Sequence, residues 1–100
     1  MGDDGHTASL FPGEAVLEEQ NKWVDAYYLA PQKMHRITLT APLINKAEKI
    51  VVIAFGEKKI HALKEVTTGA YNPTLYPMQL IKPISGELLF LVDKVAAGAN

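Results

Sequence analysis

The sequence predicts an α/β fold: a mostly parallel, Rossmann-like sheet with flanking helices, in one domain spanning residues 1–100. Three observations carry that expectation. Ile50-Val51-Val52-Ile53-Ala54-Phe55 is continuously apolar and β-branched, as a central parallel strand buried on both faces should be. Leu88 to Val92 is a second such run. Between them, Glu57 to Thr68 has the apolar spacing of an amphipathic helix, bounded by Gly56 and Gly69, which suits a crossover between parallel strands.

The remaining elements follow in chain order. Residues 1–13 are polar and punctuated by glycine, with no strand or helix pattern, and read as a loop. Glu14 to Asn21 is compatible with a short helix. Trp23 to Leu29 is aromatic-rich and reads as a strand broken by Pro31. His35 to Thr40 alternates, with Ile37 and Leu39 on one face and Arg36, Thr38 and Thr40 on the other, which is strand periodicity. Thr40 can cap a helix that tolerates Pro42 in its first turn and runs to about Lys46 or Glu48. Ala70 to Pro83 is expected to be mostly loop, with one helical turn near Met78, and Asp93 to Ala97 a short terminal helix. Trp23, Tyr27 and Tyr28 are expected in core or interface packing, and His35 and His61 at the surface.

Composition narrows the function. Ten basic and eleven acidic side chains leave a net charge of −1 and a pI near 6.3, so there is no basic surplus for nucleic acid or an anionic membrane. Zero cysteines exclude disulfides, thiolate zinc sites and a cysteine nucleophile, and suit a reducing, cytoplasmic setting. No apolar run approaches the ~20 residues of a membrane span. Walker and dinucleotide glycine patterns are absent, as is a Gly-x-Ser-x-Gly elbow around Ser9.

Three polar features can carry chemistry, since ligands of open α/β sheets sit where strands run into helices. The first is Gly2-Asp3-Asp4-Gly5-His6, in which a tight turn can aim Asp4 and His6 at one point. There His6 reads as a general base and Asp4 as the carboxylate that orients it. The competing reading is a chain end without fixed structure. A metal bound through Asp3, Asp4 and His6 lacks a second ligand cluster. The second feature is Lys59, which shares a helix face with Ala62, Leu63 and Val66. It reads either as a phosphate seat at a helix start or as a stem lying over the sheet edge. The third is Arg36, either a guanidinium fork for phosphate or a surface charge.

The stretch from Gly2 through Thr7-Ala8-Ser9-Leu10-Phe11-Pro12-Gly13 resembles the signature loop of the 6-phosphogluconolactonase family. Arg36 to Thr40 with Pro42-Leu43-Ile44-Asn45 resembles that family's next block, Gly56 to Leu63 its glycine-to-lysine helix start, and Pro77, Ile81, Pro83 and Val92-Asp93 its ending. The related glucosamine 6-phosphate deaminases share the Asp-Gly-His element, but Thr7 to Phe11 favours the lactonase. The resemblance implies hydrolysis of 6-phospho-D-glucono-1,5-lactone in the oxidative pentose phosphate pathway, with no metal or organic cofactor. It implies His6 and Asp4 as catalytic residues and Arg36 and Lys59 as phosphate ligands; the oxyanion donors are not named by it, and backbone N–H groups of the Gly5 to Thr7 turn are candidates. It also implies an upstream strand and glycine-rich loop, so residues 1–100 are expected to be the C-terminal portion of a longer domain. Either a missing N-terminal half or self-association would then cover the exposed sheet. The alternatives are a deaminase-type enzyme and an inactive sugar-phosphate-binding fragment.

Overall fold

The computed structural model describes residues 1–98. Its strands are β1 (Val24–Leu29), β2 (Met34–Leu39), β3 (Lys49–Ala54) and β4 (Glu87–Val92), and its α-helices α1 (Ala41–Ile44) and α2 (Ile60–Thr68). They form two separate pairs. β3 and β4 are parallel, in register from Lys49 with Glu87 to Ala54 with Val92. β1 and β2 are antiparallel, from Val24 with Leu39 to Leu29 with Met34. The expectation of a largely parallel sheet therefore holds for one pair and fails for the other. Only Ala30–Gln32, a single 3₁₀ turn, and Lys33 in a left-handed conformation connect β1 to β2. A parallel return needs a crossover of about a dozen residues or more, so this connection can only make a hairpin.

Burial corrects the strand faces. In β3, Val52 and Ala54 are buried while Val51 and Ile53 are about half exposed. The run is apolar throughout, yet only one face is covered. Val51 pairs with Leu89 and Ile53 with Leu91, both exposed, so an apolar strip crosses the bare side of this sheet. In β2 and just beyond it the polar face turns inward: Thr38 and the following Thr40 are buried, whereas Ile37 is 75% exposed. Thr38 Oγ1 accepts the Ser9 N–H at 3.0 Å, and the Thr40 hydroxyl donates to the Lys22 carbonyl at 2.6 Å. Hydrogen bonding to the neighbouring loops is what decides that face. Trp23 and Tyr28 are more than half exposed, Trp23 beneath the Lys46 ammonium, while Tyr27 packs on the core. His35 and His61 lie at the surface, as expected.

The helices are shorter than their sequence patterns. Ala15–Glu18 is one 3₁₀ turn that buries Val16 and Leu17. Thr40 occupies the N-cap of α1 without a capping bond, its hydroxyl being engaged elsewhere. α1 stops at Asn45, whose side chain bonds the Leu80 carbonyl and the Lys82 N–H, stitching the 80–84 loop to the helix end. The stretch predicted as one helix from Glu57 opens as a 3₁₀ turn, Glu57–Lys59, before α2. The turn near Met78 is found, as 3₁₀ over Pro77–Leu80. Asp93 to Ala97 forms turns rather than a helix, with Ala96 buried. Leu10, Val16, Leu17, Ala41, Val52, Met78 and Ile81 make the core.

Candidate active site

Residues 1–13 lack regular structure but are fixed. Gly2 N–H donates to the His6 carbonyl at 2.8 Å, Gly5 N–H to the Gly2 carbonyl at 3.0 Å, and Leu10 N–H to the Thr7 carbonyl at 2.9 Å. Two further ties hold the loop from outside: Met78 N–H donates to the Gly5 carbonyl, and the terminal ammonium of Met1 to the Ile53 carbonyl in β3. Leu10 and Phe11 are buried, Leu10 completely. A loop anchored in this way is not a frayed chain end.

The loop places Asp4 against His6. Asp4 Oδ1 is 2.5 Å from His6 Nδ1 and also accepts the His6 backbone N–H at 3.0 Å. An ionised carboxylate can only accept, so Nδ1 carries the proton and Nε2 is left as the basic nitrogen. Burial on its own would raise the Asp4 pKa. The hydrogen bonds from the His6 ring and backbone, with the His6 charge, outweigh it and hold the carboxyl below its usual value. The imidazole stacks on Phe11, centroids 4.3 Å apart. Its underside is closed by Gly2, where a β-carbon would overlap the ring at Cε1 and Nδ1. Only glycine permits that approach.

Lys59 arrives from the turn before α2. Its side chain is 23% exposed, and its Nζ lies 2.6 Å from Asp3 Oδ1. The hydrogen bond from Lys59 holds the Asp3 carboxyl below the usual aspartate value. Gly2, Asp3, Asp4, His6, Phe11, Gln32 and Lys59 line one open cavity of about 380 Å³. The general-base candidate and a cation thus face the same space. Arg36 does not line it. Its guanidinium sits 5.3 Å above the Phe11 ring, with Nε donating to Ser9 Oγ at 3.1 Å, so Phe11 stands between it and the cavity. Of the two oxyanion candidates, Gly5 spends its N–H on Gly2 and Thr7 is paired with Leu10 in an isolated antiparallel bridge, and neither lines the cavity.

Sequence reading missed Gln32, whose signal was confined to a hairpin position that a strand-and-crossover reading does not recognise. It also missed Phe11 as the ring shared by His6 and Arg36. A larger groove of about 570 Å³ lies between α2, β4 and the last turns, but among the described residues Lys64 is its only titratable lining residue. It is apolar and holds no acid–base pair. Among the described residues, no group of three or more His, Cys, Asp or Glu is placed to hold a metal ion.

Residues 1–90 match the model of the family described as glucosamine-6-phosphate isomerases/6-phosphogluconolactonase. The chain belongs to this family. Among family relatives, it is 41% identical to the 6-phosphogluconolactonase of Synechocystis sp. over 100% of the chain and 40% of that protein. It is 37% identical to the 6-phosphogluconolactonase of Homo sapiens over 97% of the chain and 38% of that protein. Among solved structures, that of 6-phosphogluconolactonase from Trypanosoma brucei aligns with a TM-score of 0.82 at 27% identity, covering 98% of this chain and 39% of the other. The small α/β arrangement described above is therefore a family fold. The chain spans about two fifths of the length of the curated relatives it matches. No helix among the described residues is long and apolar enough to cross a membrane.

Proposed function

We propose that this chain carries the acid–base pair and the phosphate anchor of a 6-phosphogluconolactonase, which hydrolyses 6-phospho-D-glucono-1,5-lactone to 6-phospho-D-gluconate. The observation that carries the reading is the shared cavity of His6, Asp4 and Lys59. The names of the relatives support the lactone over an amino sugar.

Lys59 holds the 6-phosphate, exchanging Asp3 for the incoming anion, and so fixes the lactone carbonyl near His6. Arg36 adds positive potential from behind Phe11. His6 Nε2 takes a proton from water as the water oxygen bonds to C1, and Asp4 stabilises the imidazolium that forms. The tetrahedral intermediate then collapses: the bond between C1 and the ring oxygen breaks, and His6 returns the proton to that oxygen, which leaves as the C5 hydroxyl. General-base chemistry of this kind contributes about 10²–10⁴ in rate.

The same proposal makes residues 1–100 the C-terminal portion of the family domain, in a cytoplasmic setting. The bare strip of Val51, Ile53, Leu89 and Leu91 supports it, because soluble proteins seldom leave contiguous apolar area uncovered. A polypeptide corresponding to the remaining part of a relative would cover that strip. The test is hydrolysis of freshly made lactone, corrected for its spontaneous rate, by the chain alone and with that polypeptide added. Turnover of glucosamine 6-phosphate in place of the lactone would select the deaminase alternative. Binding of the phosphorylated sugar acid without turnover in either mixture would leave only a sugar-phosphate-binding fragment.

A further inference from the structure

Asp93 stands immediately after β4, at the end of the parallel pair where Ala54 aligns with Val92. Its carboxylate accepts the Gly56 N–H, at 3.2 Å to Oδ1 and 3.3 Å to Oδ2, and the Ala96 N–H at 2.8 Å. Gly56 is where the chain leaves β3, with φ +93°, a conformation that residues with a β-carbon avoid. On its other side, the Gly56 carbonyl accepts the Lys59 N–H at 3.2 Å. The turn is thus held at its entrance by Asp93 and closed at its exit by Lys59, whose ammonium projects to Asp3.

We infer that Asp93 is a positioning residue: by holding the Gly56 turn it sets where the Lys59 ammonium stands in the cavity, and through that the affinity for a phosphate group. The affinity half of this inference rests on the reading of Lys59 as the phosphate anchor. The positional half stands on the bonds just described. One carboxylate also caps the turn at Ala96, so its two tasks must be separated. Asp93→Asn keeps an acceptor oxygen for both N–H groups. Asp93→Ser keeps a capping oxygen, since serine caps about as well as aspartate, but a single short hydroxyl cannot serve both.

The experiment follows the full chain by NMR, titrating it with 6-phosphogluconate and, separately, following the Asp3 carboxyl against pH without ligand. Asp93→Asn is expected to match the wild type. Asp93→Ser should stay folded, bind roughly tenfold more weakly, as loss of one charge-assisted hydrogen bond to the phosphate does, and let Asp3 titrate nearer its ordinary value as Lys59 moves off it. Wild-type affinity together with an unmoved Asp3 titration in Asp93→Ser overturns the inference. If the wild type binds no phosphorylated ligand yet Asp93→Ser still moves Asp3, the positional role stands and the phosphate-anchor reading falls.

Discussion

Asp4 grips His6 at two points with a single oxygen: Oδ1 lies 2.5 Å from the ring Nδ1 and 3.0 Å from the residue's own N–H. The ring can neither flip nor change tautomer without breaking the Nδ1 contact, so Nε2 is kept as the nitrogen free of Asp4, as the proposed base role requires. His6→Ala is expected to lower lactone turnover by about 10²–10⁴ with little change in binding of the phosphorylated product. Asp4→Asn retains an acceptor but loses the charge opposite the imidazolium, and should fall between the two. Turnover is read after subtracting spontaneous hydrolysis. Near-normal rates in His6→Ala would remove the histidine from the base role.

Gly2 makes a second claim on the same ring. Any side chain there overlaps the imidazole, so Gly2→Ala must push His6 off Phe11. The expected outcome is loss of the Phe11 ring-current shift on the His6 Cε1 proton, with turnover reduced and phosphate binding retained. A variant whose imidazole resonances stay where they are would show that the loop absorbs the methyl elsewhere.

Lys59 and Asp3 oppose each other in binding. Lys59→Ala is expected to weaken phosphorylated ligands about tenfold or more, because a charge-assisted contact is lost. Asp3→Asn acts the other way, since it removes the carboxylate that an incoming phosphate must displace. Asp3 is exposed and its charge screened, so that gain should not exceed about fivefold, and it should shrink as salt is added. Calorimetric titration with 6-phosphogluconate at low and high ionic strength measures both.

The carboxyl of Asp4 also sets a pH window. Its pKa in the folded chain lies below the ordinary aspartate value. The stabilisation from its hydrogen bonds to His6 is therefore fully present above that ordinary value. It disappears as pH falls through the lower, folded one. Loosening of the 2–6 loop is expected only in that acidic range. The carboxyl carbon shift of Asp4 and the exchange rate of the His6 amide, followed together against pH, test it. Loosening at higher pH would mean another group controls the loop.

How much of this was legible in the sequence differs from element to element. β3, α2 and β4 were readable because apolar run, glycine stop and helical spacing agree over Ile50 to Thr68 and again at Leu88 to Val92. The stripe of Lys59, Ala62, Leu63 and Val66 also turned inward as its spacing required. The hairpin was not, because Pro31 among the four residues between Leu29 and Met34 signals a strand break but not the direction in which the next strand returns. Nor was the inward face of β2, which is chosen by the bonds of Thr38 and Thr40 to distant loops and not by apolar alternation. At the site, Asp4 and His6 were accessible from two residues' spacing. The role of Asp93 was not, since it depends on parallel register bringing residues 37 apart in sequence within bonding distance.

Leu10 and Leu89 offer opposite tests of what stabilises the chain. Leu10 is fully buried within the 1–13 loop, with its N–H bonded to the Thr7 carbonyl, so Leu10→Ala leaves a cavity under that loop. Large-to-small changes at such sites cost about 2–5 kcal/mol, and chemical denaturation should show a loss of that size. Leu89 is about half exposed on the bare side of the β3–β4 pair. In the isolated chain Leu89→Ala should cost far less, within roughly 0.5–1 kcal/mol, since half-exposed side chains lose little transfer energy. If a complementary polypeptide covers Val51, Ile53, Leu89 and Leu91, the same substitution should weaken that association and lower the turnover of the mixture. Unchanged association in Leu89→Ala, with Leu10→Ala destabilised as expected, would place the covering contact elsewhere on the molecule.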